Sequence, residues 1–416
     1  VNILTTEQRL QFGDVMEKKE ISLNYLFFTF FKIGAISWGG FMALISVMQK
    51  QLVDKDKVLE EEVVLDGISL ASILPGAVAI NTATYIGYQL RGTKGALTCL
   101  TATILPAFLL ILVLGAVYST YGELPVFNKF FLGILPAITA VILSVAINMA
   151  QKQVKDYKQI AICVLAGICL LTIHSFLATL FVIIFSALAG YFLYNVPAGT
   201  LENNPRNDLK INYKKLILYI GIAVLGALLI EAIIHFTGLN SSDWYSINRT
   251  IFLTFSGMSL TLFGGGYVVV PAMQTVIVDG FHWLSTKEFS DAIAMGQITP
   301  GPVIITATFI GFRVAGYLGA LVATLAIFFP PGFLMILLSG FLSKIKDSNV
   351  ITSIFKGMRP AIIGMIFSAA YTVGKGAEMI WPSALIFLAV MILLMRFRVN
   401  VAYLIPLAGI IGILFF

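Results

Sequence analysis

Two stretches of this chain combine residue types that can hold an anion. Residues 74–97 read LPGAVAINTATYIGYQLRGTKGAL, and residues 299–321 read TPGPVIITATFIGFRVAGYLGAL. Each sets a Pro-Gly break, Pro75-Gly76 or Pro300-Gly301, ahead of an apolar run with Thr82 and Thr84, or Thr306 and Thr308. A helix that restarts after a break offers backbone N–H groups without intrahelical partners and the positive end of its dipole. That is a ready anion site. Glycine breaks at Gly39-Gly40 and Gly264-Gly265-Gly266 repeat the arrangement. The first turns after the four breaks are Phe41–Ala43, Ala77–Ala79, Tyr267–Val269 and Val303–Ile305. Side-chain donors flank them: Ser37, Ser72 and Asn81 beside Thr82 and Thr84, and Thr261, Gln297 and Thr299 beside Thr306 and Thr308.

An anion in a low-dielectric site also needs fixed positive charge. Lys32 lies inside FFTFFKIGAISW, five residues before Ser37. A lysine in such a run is costly unless it meets water or an anion, or snorkels to the interface. Arg313 follows Thr306 by seven residues, as Gln89 follows Thr82, so each pair shares a helix face. Lys32 and Arg313 are therefore the candidate cations. The plainer alternative for the glycines and threonines is close helix packing. Glu231 and His235 could relay protons, but both sit near the end of their apolar segment.

Catalytic and metal patterns are missing from the sequence. No His-Asp-Ser, HExxH or Cys-His arrangement appears, and the histidines (His174, His235, His282) are scattered. Cys99, Cys163 and Cys169 lie in apolar stretches with no C-x-x-C. The expectation is a non-enzyme without metal or other cofactor.

The elements that position these residues must sit in lipid. The chain has 416 residues, 58% hydrophobic and 12% charged, with mean hydropathy +0.93. Soluble domains carry about 25% charged residues, so a cytosolic enzyme and a disordered chain are both excluded. The net charge of +6 fits cytoplasmic loops and does not call for nucleic acid. The polar, amphipathic N-terminus lacks the apolar core of a signal peptide, so targeting is expected to rest on the first membrane segment.

The sequence is written twice. With one deleted residue, Pro75 matches Pro300, Gly76 Gly301, Thr82 Thr306, Thr84 Thr308, Gly87 Gly311 and Gly92 Gly316. Asp66 falls on Asp291 and Pro106 on Pro330, and GILPAITAVILSVA (133–146) sits over GMRPAIIGMIFSAA (357–370). The expected units are an amphipathic cytoplasmic N-terminus (1–22), a first membrane repeat (23–196), a polar linker (197–215), an unpaired transmembrane helix (216–236) and a second repeat (245–416). One added crossing between repeats that each cross an even number of times inverts the second. Inverted repeats recur in secondary transporters.

Each repeat holds two interrupted segments and four continuous ones, about 95–119, 128–150, 159–173 and 176–195, then 317–342, 351–374, 381–395 and 399–416. If the interrupted segments cross, the chain spans the membrane thirteen times; if they are re-entrant hairpins, nine times. Both schemes leave an excess of Lys and Arg on the N-terminal side, so the N-terminus is expected in the cytoplasm and the C-terminus outside. Residues 24–37 would make only about 21 Å of helix against a ~30 Å core, which favours hairpins. The expected fold is thus an all-α polytopic membrane protein of two inverted repeats with broken or re-entrant helices. Irregular backbone at that depth must line a cavity or be buried in protein, so four symmetry-paired breaks point to one central site.

At FFKIGAISWGG (30–40), LPGAVAINTATYIGYQLRGTKGAL (74–97), LFGGGYVVVPAM (262–273) and QITPGPVIITATFIGFRVAG (297–316) the chain resembles the chromate ion transporter family, in its long, two-domain form. The first half departs from that pattern at Trp38-Gly39-Gly40-Phe41 and Pro75-Gly76-Ala77. The resemblance implies a plasma-membrane carrier of tetrahedral dianions, chromate and also sulfate, working in the export direction. Its implied partners are the oxyanion and the lipid bilayer, and a homodimer is compatible with it. A sulfate-uptake carrier and an anion channel are the rival readings.

Overall fold

A computed structural model describes residues 21–38, 41–122, 124–173, 176–194, 243–261, 266, 269–339, 349–375 and 380–416. Gly39, Gly40, Gly264, Gly265, the linker 197–215 and the 216–236 segment with Glu231 and His235 lie outside the described residues, as do positions 1–20. Among the described residues there is no strand. The protein is all-α.

The helices of the first repeat are α1 (Leu23–Ile36), α2 (Phe41–Gln49, with a π-helical continuation Lys50–Lys55), α3 (Glu61–Ala71), α4 (Val78–Tyr121), α5 (Pro125–Gln153), α6 (Tyr157–Thr172) and α7 (Phe176–Tyr194). Those of the second are α8 (Asp243–Thr261), α9 (Val269–Met273, continued by the π-helical Gln274–Gly280), α10 (Thr286–Ile298), α11 (Thr306–Leu338, after a 3-10 turn Val303–Ile305), α12 (Asn349–Lys375), α13 (Trp381–Met395) and α14 (Val401–Phe415). Their starts follow from local sequence. Ser22 accepts from the Tyr25 N–H to cap α1, and Asp156 caps α6 by accepting from the Gln159 N–H. Ser285 and Glu288 close a reciprocal capping box on α10. Pro opens α5 and α13, where its missing N–H costs nothing. The runs 78–121, 125–153, 303–338 and 349–375 are long and apolar enough to cross a membrane. The chain is a multi-pass membrane protein.

Two helices double back. At Arg91-Gly92 in α4 the backbone leaves the helical region, with Gly92 at φ 59° and ψ −149°. At Ala315-Gly316 in α11 the same thing happens, with Gly316 at φ 64° and ψ −152°. These positive-φ positions suit glycine. Beyond each turn the arms run antiparallel. Thr308 Oγ1 lies 2.7 Å from Thr324 Oγ1, whereas a straight helix would separate them by about 24 Å. A Cβ on Gly87 would collide with the Gly95 backbone, and one on Gly311 with Gly319.

The helices on either side of the breaks pack against each other. The Tyr25 hydroxyl at the start of α1 donates to Asp56, just past the end of the α2 continuation. The Gln51 amide donates to the same carboxylate at 2.8 Å. Near the start of α10, Glu288 pairs with Arg313 at 2.6 Å, near the end of the first arm of α11. Gly67 of α3 likewise packs on Tyr85 and Thr82 of the first arm of α4. In these segments the two arms lie alongside each other.

The repeats embrace each other. α5 packs on α13 and α14 of the second repeat, and its counterpart α12 packs on α6 and α7 of the first. Without a hydrophobic drive between helices in lipid, small residues let backbones approach. Gly133 meets Gly412, and its repeat mate Gly357 meets Gly190, with no room for a Cβ on any of the four.

Candidate functional site

Each Pro-Gly tip meets the opposite repeat in the interior. Gly76, at φ +102°, lies against Pro331 of α11, and Gly301, at φ +103°, faces Ala107 of α4 with a built Cβ at 3.7 Å. Pro331 and Ala107 each stand fifteen residues beyond their glycine turn, about 22 Å along the helix. Each tip therefore touches the long helix of the opposite repeat roughly halfway along it. A further bond joins the tips across the repeats: the Gly301 N–H donates to the Ser37 carbonyl at 2.9 Å.

A helix starts just beyond each of these tips without a side-chain cap. α4 begins after Ala77, whose side chain caps nothing, and the turn opening at Val303 follows Pro302, which likewise caps nothing. Val78, Ala79, Ile80, Val303, Ile304 and Ile305 are all buried. A buried helix start needs partners for its first N–H groups. Neither start has a side-chain partner from its cap residue for those groups.

The polar residues expected around the tips are there and buried: Ser37, Asn81, Thr82, Thr84, Gln297, Thr299, Thr306 and Thr308. Their bonds are local. Ser37 Oγ donates to the Ile33 carbonyl at 2.5 Å, Thr82 to Val78 at 2.8 Å and Thr84 to Ile80 at 2.9 Å. Thr299 donates to Gly296 at 2.9 Å and Thr306 to Val303 at 2.8 Å. Back-bonding of this kind satisfies a hydroxyl while leaving it free to rotate towards a better acceptor. Asn81 differs: its Nδ2 donates to the Pro75 carbonyl at 2.8 Å and clamps the first tip. Pro75 is half-buried, while Pro300 and Pro302 are buried.

The two candidate cations stand apart from the tips. Lys32 is exposed on the face of α1 that carries Phe28 and Ile36, away from the buried Leu26, Phe30, Ile33 and Gly34. Its charge is felt by Asp56, whose carboxyl is held below the usual range first by the Tyr25 hydroxyl. Arg313 is committed to Glu288, with Ser119 Oγ at 3.4 Å from its second nitrogen and the Tyr118 ring 5.8 Å away.

Sequence reasoning missed one polar group between the repeats. Asp291 of α10 is 2% exposed and accepts from the Tyr118 hydroxyl of α4 at 2.7 Å. The only sequence signal was the pairing of Asp66 with Asp291. Nothing in the pattern pointed to a tyrosine 173 positions away. Among the described residues no group of three or more His, Cys, Asp or Glu could hold a metal.

The model of a family described as Chromate transporter matches residues 25–191 and again 249–413. The chain is 29% identical over 410 residues to the uncharacterized transporter MJ0718 of Methanocaldococcus jannaschii, covering 96% of both chains. It is 30% identical over 388 residues to the chromate transport protein of Cupriavidus metallidurans, covering 93% of this chain and 91% of that one. It is 30% identical over 170 residues to the uncharacterized transporter YwrA of Bacillus subtilis, covering 40% of this chain and 96% of that one. No solved structure matches.

Proposed function

The chain belongs to the chromate transporter family, and from that membership we propose that it is a plasma-membrane secondary transporter that exports chromate by alternating access between two oppositely oriented repeats. The observation that carries this reading is the pair of buried, uncapped helix starts at Val78 and Val303, each just beyond a tip that touches the opposite repeat. A tetrahedral dianion between them would take the orphan N–H groups of both repeats. Hydroxyls of Ser37, Thr82, Thr84, Thr306 and Thr308 and the amide of Gln297 would replace its water. Gly76 and Gly301 keep the approach clear of side chains, with Pro75 and Pro300 ending the preceding arms. Gly39, Gly40, Gly264 and Gly265 are assigned the same role at the other two breaks. Lys32 and Arg313 act at longer range, lowering the cost of charge without touching the anion.

Opposite orientation is supported by where the hairpins open. The first repeat's second hairpin opens beside Gly92, at the start of the long arm of α4. The second repeat's equivalent hairpin opens at Glu288 and Arg313, beside Ser119. Ser119 is 27 residues further along that arm, about 40 Å if straight. The hairpins thus enter from opposite ends. One half rocking against the other would expose the tips to each side in turn. The unit boundaries follow: repeats at 23–196 and 245–416, with 216–236 as the extra crossing, the N-terminus cytoplasmic and the C-terminus outside.

The test is uptake of labelled chromate and of labelled sulfate into inverted membrane vesicles, with and without a pH gradient. Saturable chromate uptake that excess sulfate inhibits only weakly is the expected result. Preference for sulfate would recast the chain as a sulfate carrier, and conductance without saturation would make it a channel.

A further inference from the structure

The anion site leaves one buried ionisable group unused. Asp291 lies where the long helix α4 of the first repeat meets the α10 hairpin of the second, and Tyr118 is its bonding partner across that seam. A buried carboxylate is expensive unless paired with a cation or neutralised. The groups around it are few. On α10 itself, Lys287 and Glu288 flank it, with Lys287 Nζ turned to Asn128 Oδ1 of α5 at 2.5 Å. α11 brings Arg313, which is bound to Glu288. α5 brings Phe131 against the Tyr118 ring, and α11 brings Phe309 against it. α14 carries no charged residue, and the π-helical segment before α10 carries Asp279. Arg313 thus serves Glu288 and the Lys287 ammonium serves Asn128, while Asp291 is left with the Tyr118 hydroxyl.

We propose that Asp291 is the proton-binding site of the transporter, loaded and unloaded as the seam between Tyr118 and the α10 hairpin opens to one side and then the other. This rests on the transport reading above. The step is a plain acid–base exchange. Water on the open side gives a proton to the Asp291 carboxylate, and the carboxylic acid returns it to water on the other side. Protonation removes the charge for which the Tyr118 hydroxyl is a donor and so loosens the bond that ties α4 to α10. The proton equilibrium is thereby linked to the movement of one repeat against the other. In the first repeat Asp66 occupies the matching place, and Val63 and Gln89 stand where Glu288 and Arg313 do.

The experiment uses the full chain in proteoliposomes, with labelled chromate in two assays: counterflow at equal pH on both sides, and accumulation driven by an imposed pH gradient. The parent should do both. Asp291→Asn, whose amide oxygen still accepts from Tyr118, should lose gradient-driven accumulation at least tenfold while counterflow falls less than threefold. Accumulation by Asp291→Asn that still follows the gradient would overturn the assignment. If that variant fails in both assays, Tyr118→Phe decides. It keeps the carboxyl and removes a donor to its charged form, so the pH of half-maximal driven flux should rise by about one unit or more. An unchanged midpoint overturns the proposal. A parent chain that shows no counterflow at all removes the transport reading itself.

Discussion

The Gly301 N–H and the Ser37 carbonyl, 264 positions apart, share a hydrogen bond of 2.9 Å. This bond locks the end of α1 in one repeat to the Pro-Gly-Pro tip of the other. Movement of either tip must break or carry that link, so the geometry of the tips and the relative position of the repeats are one variable.

The two tip glycines should respond differently to a single methyl. Alanine at either place faces a positive φ, worth about 1–3 kcal/mol of strain. At Gly76 it also collides with Pro331, while at Gly301 it finds Ala107 at ordinary contact distance. Overpacking adds about 1–3 kcal/mol. Gly76→Ala should therefore melt at a lower temperature in detergent than Gly301→Ala. Leucine at either site should abolish chromate flux with normal membrane levels for Gly301→Leu. Equal melting of the two alanine variants would refute the packing difference.

Asn81→Ala removes the clamp on the Pro75 carbonyl. A fully buried carbonyl left without its donor costs about 1–3 kcal/mol, and the half-buried Pro75 carbonyl falls at the low end of that range. The expected result is a looser first tip: lower thermal stability, and faster hydrogen exchange at residues 72–80 than in the parent. Unchanged exchange there would mean that the loop does not depend on Asn81.

Lys32 begins about 7.5 Å along the helix from Ser37 and points to the exposed face of α1. Its influence on a bound dianion is through space. Lys32→Gln should raise the chromate concentration for half-maximal transport severalfold, and Lys32→Arg should largely restore it. If the neutral variant matches the parent, the lysine serves Asp56 and the interface alone.

The Tyr25–Asp56 bond closes the open end of the first hairpin. A carboxyl held below its ordinary range contributes stability above its unfolded pKa, near 3.9, and loses it as pH falls through the lower folded value. Tyr25→Phe should therefore lower the melting temperature at pH 7. The gap from the parent should close in strongly acidic buffer. A gap that persists there would show that the hydroxyl's other contact, with Thr29, and not the carboxylate, matters.

A reporter active only in the cytoplasm should work when fused at Val1 and fail when fused after Phe416. Activity at both ends means an even number of crossings and removes the opposite orientation of the repeats.

What could be read from the sequence was local. The Pro-Gly tips, the Thr spacing and the continuous helices depend on nearby residues, and they fall where periodicity put them; residues 128–150 and 351–374 lie within α5 and α12. Gly92 and Gly316 were visible as repeat mates, yet only their backbone angles reveal that the chain turns back there. The direction of Lys32 depends on how α1 is rotated against α4, and the apolar run FFTFFKIGAI has no polar face to fix it. Arg313 looked free because its partner Glu288 belongs to another helix. The Tyr118–Asp291 contact required knowing that the end of α4 reaches the other repeat.

The glycine seams between Gly133 and Gly412 and between Gly357 and Gly190 set a timetable for biosynthesis. α5 is complete at Gln153, but its partners α13 and α14 begin only at Trp381 and Val401. At ~5–20 residues per second, that gap of roughly 230 residues leaves α5 waiting in the bilayer for about 10–45 s. During that interval its small-residue face is open to any other helix inserted nearby, so the nascent first repeat is the stage at which a membrane chaperone or a wrong partner has its chance.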